Sequence, residues 1–122
     1  LNKKIDVSNS KALILGFSFK ENCPDVRNTK VIDIYHQLLD YGMGVDVFDP
    51  WVDENEATTL YDLSLTRELK NDTYSAIILA VAHSESKDFG VAGITKLCKS
   101  SHVIYDLKSI LPASDSTNIL RL

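Results

Sequence analysis

Glycine is scarce in this sequence, and where it is missing matters more than its number. Five glycines are spread over 122 residues. The stretch after the first apolar run, Gly16-Phe17-Ser18-Phe19-Lys20-Glu21-Asn22, carries one of them. A backbone loop that closes on a pyrophosphate needs three glycines at fixed spacing, so an independent dinucleotide site of the usual kind is excluded there. Positive charge is also short. Thirteen Lys and Arg against 17 Asp and Glu give a net charge of −4, which argues against a general binder of nucleic acid or of an anionic membrane. The two cysteines, Cys23 and Cys98, lack C-x-x-C spacing and indicate neither a zinc site nor a disulfide framework. They fit a reducing cytoplasm. No apolar run approaches the length of a membrane span, and no signal-peptide pattern is present.

What is present alternates between two periodicities. Ala12 to Phe17 is a short continuous apolar run ending beside glycine, the pattern of a buried strand. Val31, Ile32, Ile34, Tyr35, Leu38 and Leu39 then fall on one helix face, with Gly42 as a left-handed cap. Asp25 or Asn28 can accept from the free amides of that helix's first turn. A second strand, Gly44 to Phe48, is stopped by Asp49-Pro50. Val52 to Asp72 is acidic and polar, and a short helix is expected around Leu60 to Leu69. Ala76 to Ala82 is the clearest buried strand and ends at His83. Ser84 or Ser86 can cap a following helix whose inner side carries Phe89, Ile94, Leu97 and Cys98. His102 to Asp106 is a fourth strand, followed by Leu107-Lys108-Ser109. Four strands alternating with helices predict an α/β fold, a three-layer Rossmann-like sandwich with a parallel sheet in the order 2-1-3-4. Residues 11–113 form the domain in this reading. Residues 1–10, polar and opening on Leu1, are expected to be a linker from something longer, and 114–122 a tail free to fray.

In such sheets ligands bind at the carboxyl ends of the strands. That rule brings Lys20, His83 and Lys108 to one rim, with Arg27 on the same loop as Lys20. For Lys20 and Arg27 two readings stand level, solvated loop cations or contacts to a phosphate-bearing ligand. Cys23 lies near a lysine but has no base beside it in sequence, so a turn before Pro24 explains it better than a nucleophile. Cys98 reads as core. Asp49 stands where Rossmann folds often hold an acid for a ribose hydroxyl, but without the glycine loop it reads as an Asp-Pro turn. His83 reads as a polar strand end rather than as a phosphate or sugar contact. The carboxylates Asp53, Glu54 and Glu56 read as a solvated acidic loop, and no metal site is indicated.

Gly16-Phe17-Ser18-Phe19-Lys20 followed by Asp25-Val26-Arg27 resembles the G-x-x-F-K-x-x-x-x-D-x-R motif of the UDP-glucose/GDP-mannose dehydrogenase family, where it opens the C-terminal UDP-binding domain. Asp49-Pro50, Ala80-Val81-Ala82-His83 and Asp106-Leu107-Lys108 extend the resemblance over nearly the whole chain. The segment Glu21 to Lys30 is most similar to the branch that oxidises UDP-N-acetylhexosamines for bacterial surface polysaccharides, the Vi-antigen type. The resemblance implies an enzyme with an N-terminal NAD-binding domain, a central dimerisation region and this C-terminal domain. It implies oxidation of a sugar C6 alcohol to a carboxylate in two NAD-dependent steps on a cysteine of a G-x-C-F-P-K-D type motif. That motif is not in this sequence, so the chain alone is expected to be inactive, and monomeric although the parent is a homo-oligomer. By the same resemblance Phe19, Lys20, Lys108 and Ser109 contact the UDP-N-acetylhexosamine, and Arg27 reaches the NAD held mainly by the first domain. The rival reading is a stand-alone flavodoxin-like interaction module without catalysis, in which Lys20 and Arg27 meet a protein partner.

Overall fold

The computed structural model describes residues 10–111 and 119–121. Its elements run β1 (Lys11–Leu15), α1 (Val31–Asp40), β2 (Gly44–Phe48), α2 (Glu54–Tyr61), β3 (Tyr74–Leu79), α3 (Ser84–Thr95), β4 (Cys98–Asp106) and β5 (Ile119–Arg121). The strands form one parallel sheet in the order β2-β1-β3-β4-β5. The expected order 2-1-3-4 is therefore present, extended at one edge by β5, which lies in the segment expected to be a fraying tail. Residues 1–9 of the expected linker and 112–118 and 122 lie outside the described residues.

Two-sided burial explains why these segments are strands. Every residue of β3 is buried, as expected for a central parallel strand covered on both faces. Ile14, Val47 and Ile78 point to a core shared with Val31 of α1 and Ala57 of α2, while Leu13, Leu15, Ile77 and Ile104 point to one shared with Ile94 of α3. Helices thus lie on both faces, in three layers. Burial of side chains this size contributes about 2 kcal/mol each, so the layers and not helix propensity hold α1 and α2 in place.

Three local expectations are corrected. The second helix lies at Glu54–Tyr61 and not Leu60–Leu69, because the Asp53 carboxylate accepts from the Glu56 amide (3.2 Å) and starts it there. Glu54 and Glu56 are its first turn, where the helix dipole favours negative charge, so the acidic cluster is a helix start. Neither Asp25 nor Asn28 caps α1. The Asp25 carboxylate turns to Arg27, Asn28 is in a left-handed turn, and the first amide of α1, that of Val31, donates to Thr29 Oγ1 (3.2 Å). Neither Ser84 nor Ser86 caps α3: Ser84 is its first residue, and its amide donates to Asn22 Oδ1 (3.0 Å), brought from the loop after β1. Gly42 is left-handed past α1 as expected (φ 88°).

Gly16 is the glycine the fold cannot replace. Its φ is 98°, and a Cβ there would lie 2.6 Å from the Val81 Cβ and 2.8 Å from the Val81 amide nitrogen. The chain leaving β1 passes directly over the end of β3.

Candidate functional site

The loops at the carboxyl ends of β1, β3 and β4 enclose a cleft of about 560 Å³. Phe19, Lys20 and Glu21 line it from the first loop, Ala80, Val81 and Ala82 from the end of β3, and Leu107 and Lys108 from beyond β4. The start of α1 closes it with Thr29, Lys30 and Val31. Lys20, Lys30 and Lys108 therefore face one cleft, with Glu21 the only carboxylate along its lining among the described residues, a local positive field on a protein of net charge −4. Lys30 was not singled out from sequence. Its position one residue before the α1 pattern was the available signal.

The first loop owes its shape to Asp49. That side chain is fully buried, and its Oδ2 accepts from the amides of Phe17 (2.7 Å) and Ser18 (2.9 Å) and from His83 Nε2 (2.9 Å). Its Oδ1 accepts from the Trp51 amide (2.8 Å), which is the Asp-Pro turn expected from sequence. Burial pushes the Asp49 carboxyl up, but the His83 hydrogen bond and the two loop amides outweigh it and hold the group below its ordinary value. In a dinucleotide-binding loop those amides would face a pyrophosphate. Here an internal carboxylate takes them, so the described residues do not fit an NAD site of their own.

His83 is also fully buried. Its Nδ1 accepts from the Asn22 amide (2.8 Å), which leaves the proton on Nε2 to point at Asp49 and, at 3.1 Å, Ser18 Oγ. In that arrangement the imidazole is neutral, and the contact to Asp49 is a hydrogen bond and not an ion pair. Trp51 stacks over the ring at 6.0 Å between centroids and donates its indole N–H to Glu85 Oε1 (2.9 Å). The histidine expected on the rim thus lies behind it.

The remaining candidates separate. Phe19 is in the cleft and 54% exposed. Arg27 is not in the cleft. It pairs with Asp25 through Nε (3.0 Å) and Nη2 (3.3 Å) and opens onto a second hollow of about 370 Å³ with Asn55, Glu56, Thr59 and Leu60. That fork, with the Arg27 amide, holds the Asp25 carboxyl below its ordinary value. Ser109 follows Lys108 in a left-handed turn (φ 53°) and lines neither hollow. The turn is fixed by Asp106, which accepts from the Ile110 and Leu111 amides (both 2.8 Å). Cys23 is half-buried and unbonded to Cys98. Burial pushes the Cys98 thiol up to about 12, as expected for a core residue that is no nucleophile.

The family model described as UDP-glucose/GDP-mannose dehydrogenase family, UDP binding domain, matches residues 13–113. The chain belongs to the UDP-glucose/GDP-mannose dehydrogenase family. Within this family it is 48% identical over 116 residues to a UDP-N-acetyl-D-glucosamine 6-dehydrogenase of Salmonella typhi, covering 95% of this chain and 27% of that protein. A protein of the same description from Pseudomonas aeruginosa is 47% identical, with 28% of its length covered. Protein CapL of Staphylococcus aureus is 38% identical over 125 residues. The chain therefore spans little more than a quarter of the curated relatives it matches. Among solved structures, a UDP-D-ManNAc dehydrogenase from Pyrococcus horikoshii superposes with a TM-score of 0.75 at 18% identity, over 96% of this chain and 26% of that one. At that identity the likeness is one of fold. No helix among the described residues is long and apolar enough to cross a membrane.

Proposed function

We propose that this domain, with residues 11–113 as its binding unit, holds the UDP-sugar of a bacterial NAD-dependent UDP-N-acetylhexosamine 6-dehydrogenase. The parent enzyme would oxidise the sugar C6 alcohol to a carboxylate for surface-polysaccharide synthesis. The observation that carries the reading is the convergence of Lys20 and Lys108 on one cleft, at the strand ends of a domain matched by the family's UDP-binding model. Two ammonium groups facing one concavity suit a diphosphate, which accepts charge-assisted hydrogen bonds from several directions. Phe19, half exposed beside Lys20, offers an apolar face to the rest of the ligand, and Ser109, outside the cleft lining, supplies the left-handed turn that follows Lys108.

NAD belongs, in this reading, to another part of the parent enzyme. The Asp49 carboxylate occupies the loop amides of Phe17 and Ser18. Arg27, on a surface hollow apart from the cleft, is placed to fork to a cofactor phosphate presented from outside this domain. The sequence has no G-x-C-F-P-K-D motif, and Cys98 is buried. This chain alone binds and orients, in the cytoplasm and as a monomer, and does not catalyse.

Calorimetric titration of the chain with UDP, UDP-N-acetylglucosamine, UDP-N-acetylgalactosamine and NAD tests the proposal. The uridine ligands are expected to bind and NAD not. Removing one charge-assisted contact in Lys20→Ala should weaken UDP about tenfold or more, with Lys108→Ala in the same direction. Unchanged UDP affinity in both variants would move the site elsewhere. NADH production by this chain with a UDP-sugar would overturn the assignment of catalysis to the rest of the enzyme.

A further inference from the structure

The buried imidazole of His83 does not itself line the cleft, yet it holds the loop that supplies Lys20. Three strand-end loops meet on it. Asp49 comes from the loop after β2, Ser18 and Asn22 from the loop after β1, and His83 itself from the loop between β3 and α3. Ser18 passes the constraint on, because its Oγ–H donates to the carbonyl of Lys20 (2.9 Å). The direction of every bond is settled by one amide: Asn22 N–H can only donate, so Nδ1 accepts, Nε2 carries the proton, and the Ser18 hydroxyl hydrogen is left for Lys20.

We propose that His83 is a positioning residue for the Lys20 loop, setting the affinity of the cleft for a nucleoside diphosphate through Asp49 and Ser18 without contacting it. This rests on the UDP-sugar-binding reading above for the identity of the ligand, but not for the loop mechanism. A side chain that only filled space would need no particular donor and acceptor. This one presents an acceptor to Asn22 and a donor to Asp49 and Ser18, and is fully buried, where a mismatched polar atom finds no water to replace its partner.

The two faces of the ring can be removed separately. In His83→Asn a short amide keeps an acceptor near the Nδ1 position and loses the donor toward Asp49 and Ser18. In His83→Gln a longer amide restores a donor near the Nε2 position. Amide hydrogen exchange in the ligand-free chain, read at residues 17–22 and at β3, is measured on both variants beside calorimetric titration with UDP. Expected in His83→Asn is exchange about tenfold faster in the loop, unchanged in β3, and UDP binding weaker by a similar factor. His83→Gln should lie closer to the parent in both. Because the effect runs through Lys20, adding His83→Asn to Lys20→Ala should cost little further UDP affinity.

Loop exchange unchanged in His83→Asn overturns the proposal. So does faster loop exchange with UDP affinity intact, or losses that add fully in the double variant. If the parent chain takes up no UDP, the UDP-sugar-binding reading fails for this chain. The exchange measurement then decides alone whether His83 holds the loop.

Discussion

Asp49→Ala is expected to lower folding stability by about 4 kcal/mol, a large part of what a domain of this size has. The carboxylate accepts four hydrogen bonds, from the amides of Phe17, Ser18 and Trp51 and from His83 Nε2. Its removal leaves the donors of Phe17, Ser18 and His83 in a buried site, with only Trp51 partly exposed, and unmet buried donors cost about 1–3 kcal/mol each before the loop relaxes. Asp49→Asn is a finer probe, since it keeps the shape, exchanges charge for a neutral amide, and turns one acceptor into a donor facing donors. A loss of about 3 kcal/mol is expected from it. The two variants also differ from the parent in pH dependence. The folded protein holds the Asp49 carboxyl below its ordinary value, so the group's contribution is fully present above the ordinary carboxylate range and is lost as pH falls through the lowered value. Urea denaturation at neutral pH, repeated in steps down to about pH 2, should show parent and Asp49→Asn converging on acidification. Parallel curves, or an Asn variant as stable as the parent at pH 7, would remove Asp49 from its central position.

The history of that residue shows what was legible in the sequence and what was not. β1 to β4, their order, α1 and the rim carrying Lys20 and Lys108 follow from periodicity and chain order, because apolar spacing reports burial directly. Asp49 was visible as a turn, and the Trp51 bond is that turn. Its other role depends on amides 31 and 32 residues away, and no local pattern names a partner at that distance. The start of α2 has a local signal, since Asp53, then Glu56 three residues on, is a capping arrangement, but the apolar residues Leu60, Leu63, Leu65 and Leu69 further along obscure it. Of those, Leu63 and Leu65 are buried without belonging to a helix. β5 is three residues long, too short for periodicity to reveal, and becomes a strand because β4 offers an open edge. β4 itself begins at Cys98 and not at His102. The polar run Lys99-Ser100-Ser101 hides its first half, which meets β3 across a register shift.

The separation of Arg27 from the cleft has the same origin. Lys20 and Arg27 share a loop and stand seven residues apart in sequence, so a linear reading groups them. The loop folds back between them, with the Phe19 amide donating to the Asp25 carbonyl (2.6 Å) and Val26 fully buried beneath. That reversal sends the ammonium to one hollow and the guanidinium to the other. Two cations on opposite sides of a pinned loop suit two ligands better than one.

Gly16→Ala is expected to cost about 4 kcal/mol, and a second glycine shows why the number is large. Gly90 also has a positive φ, +66°, but a Cβ there would meet nothing within 4 Å. At ψ 176° that backbone is open essentially to glycine alone, so Gly90→Ala should cost backbone strain only, about 2 kcal/mol. At Gly16 the strain of φ +98° is joined by overlap with Val81, at 2.6 Å from its Cβ and 2.8 Å from its amide nitrogen, and overpacking of this kind adds about 1–3 kcal/mol. The overlap has no flexible side-chain end to absorb it. Gly16 N–H donates to the Phe48 carbonyl (2.9 Å), and the Ala80 amide donates to the Leu15 carbonyl (3.0 Å), so β1, β2 and β3 are tied together at this point. Trimming Val81 to alanine leaves the offending Cβ in place and should give no relief to Gly16→Ala. Trimming it to glycine removes that atom and should recover part of the loss beyond its own cost, seen as a coupling in a double-mutant cycle by urea denaturation. Equal costs at Gly16 and Gly90 would mean that backbone conformation alone decides. A larger cost at Gly16, with coupling to Val81→Gly and none to Val81→Ala, makes close approach of β1 and β3 the reason that this rim keeps its one glycine.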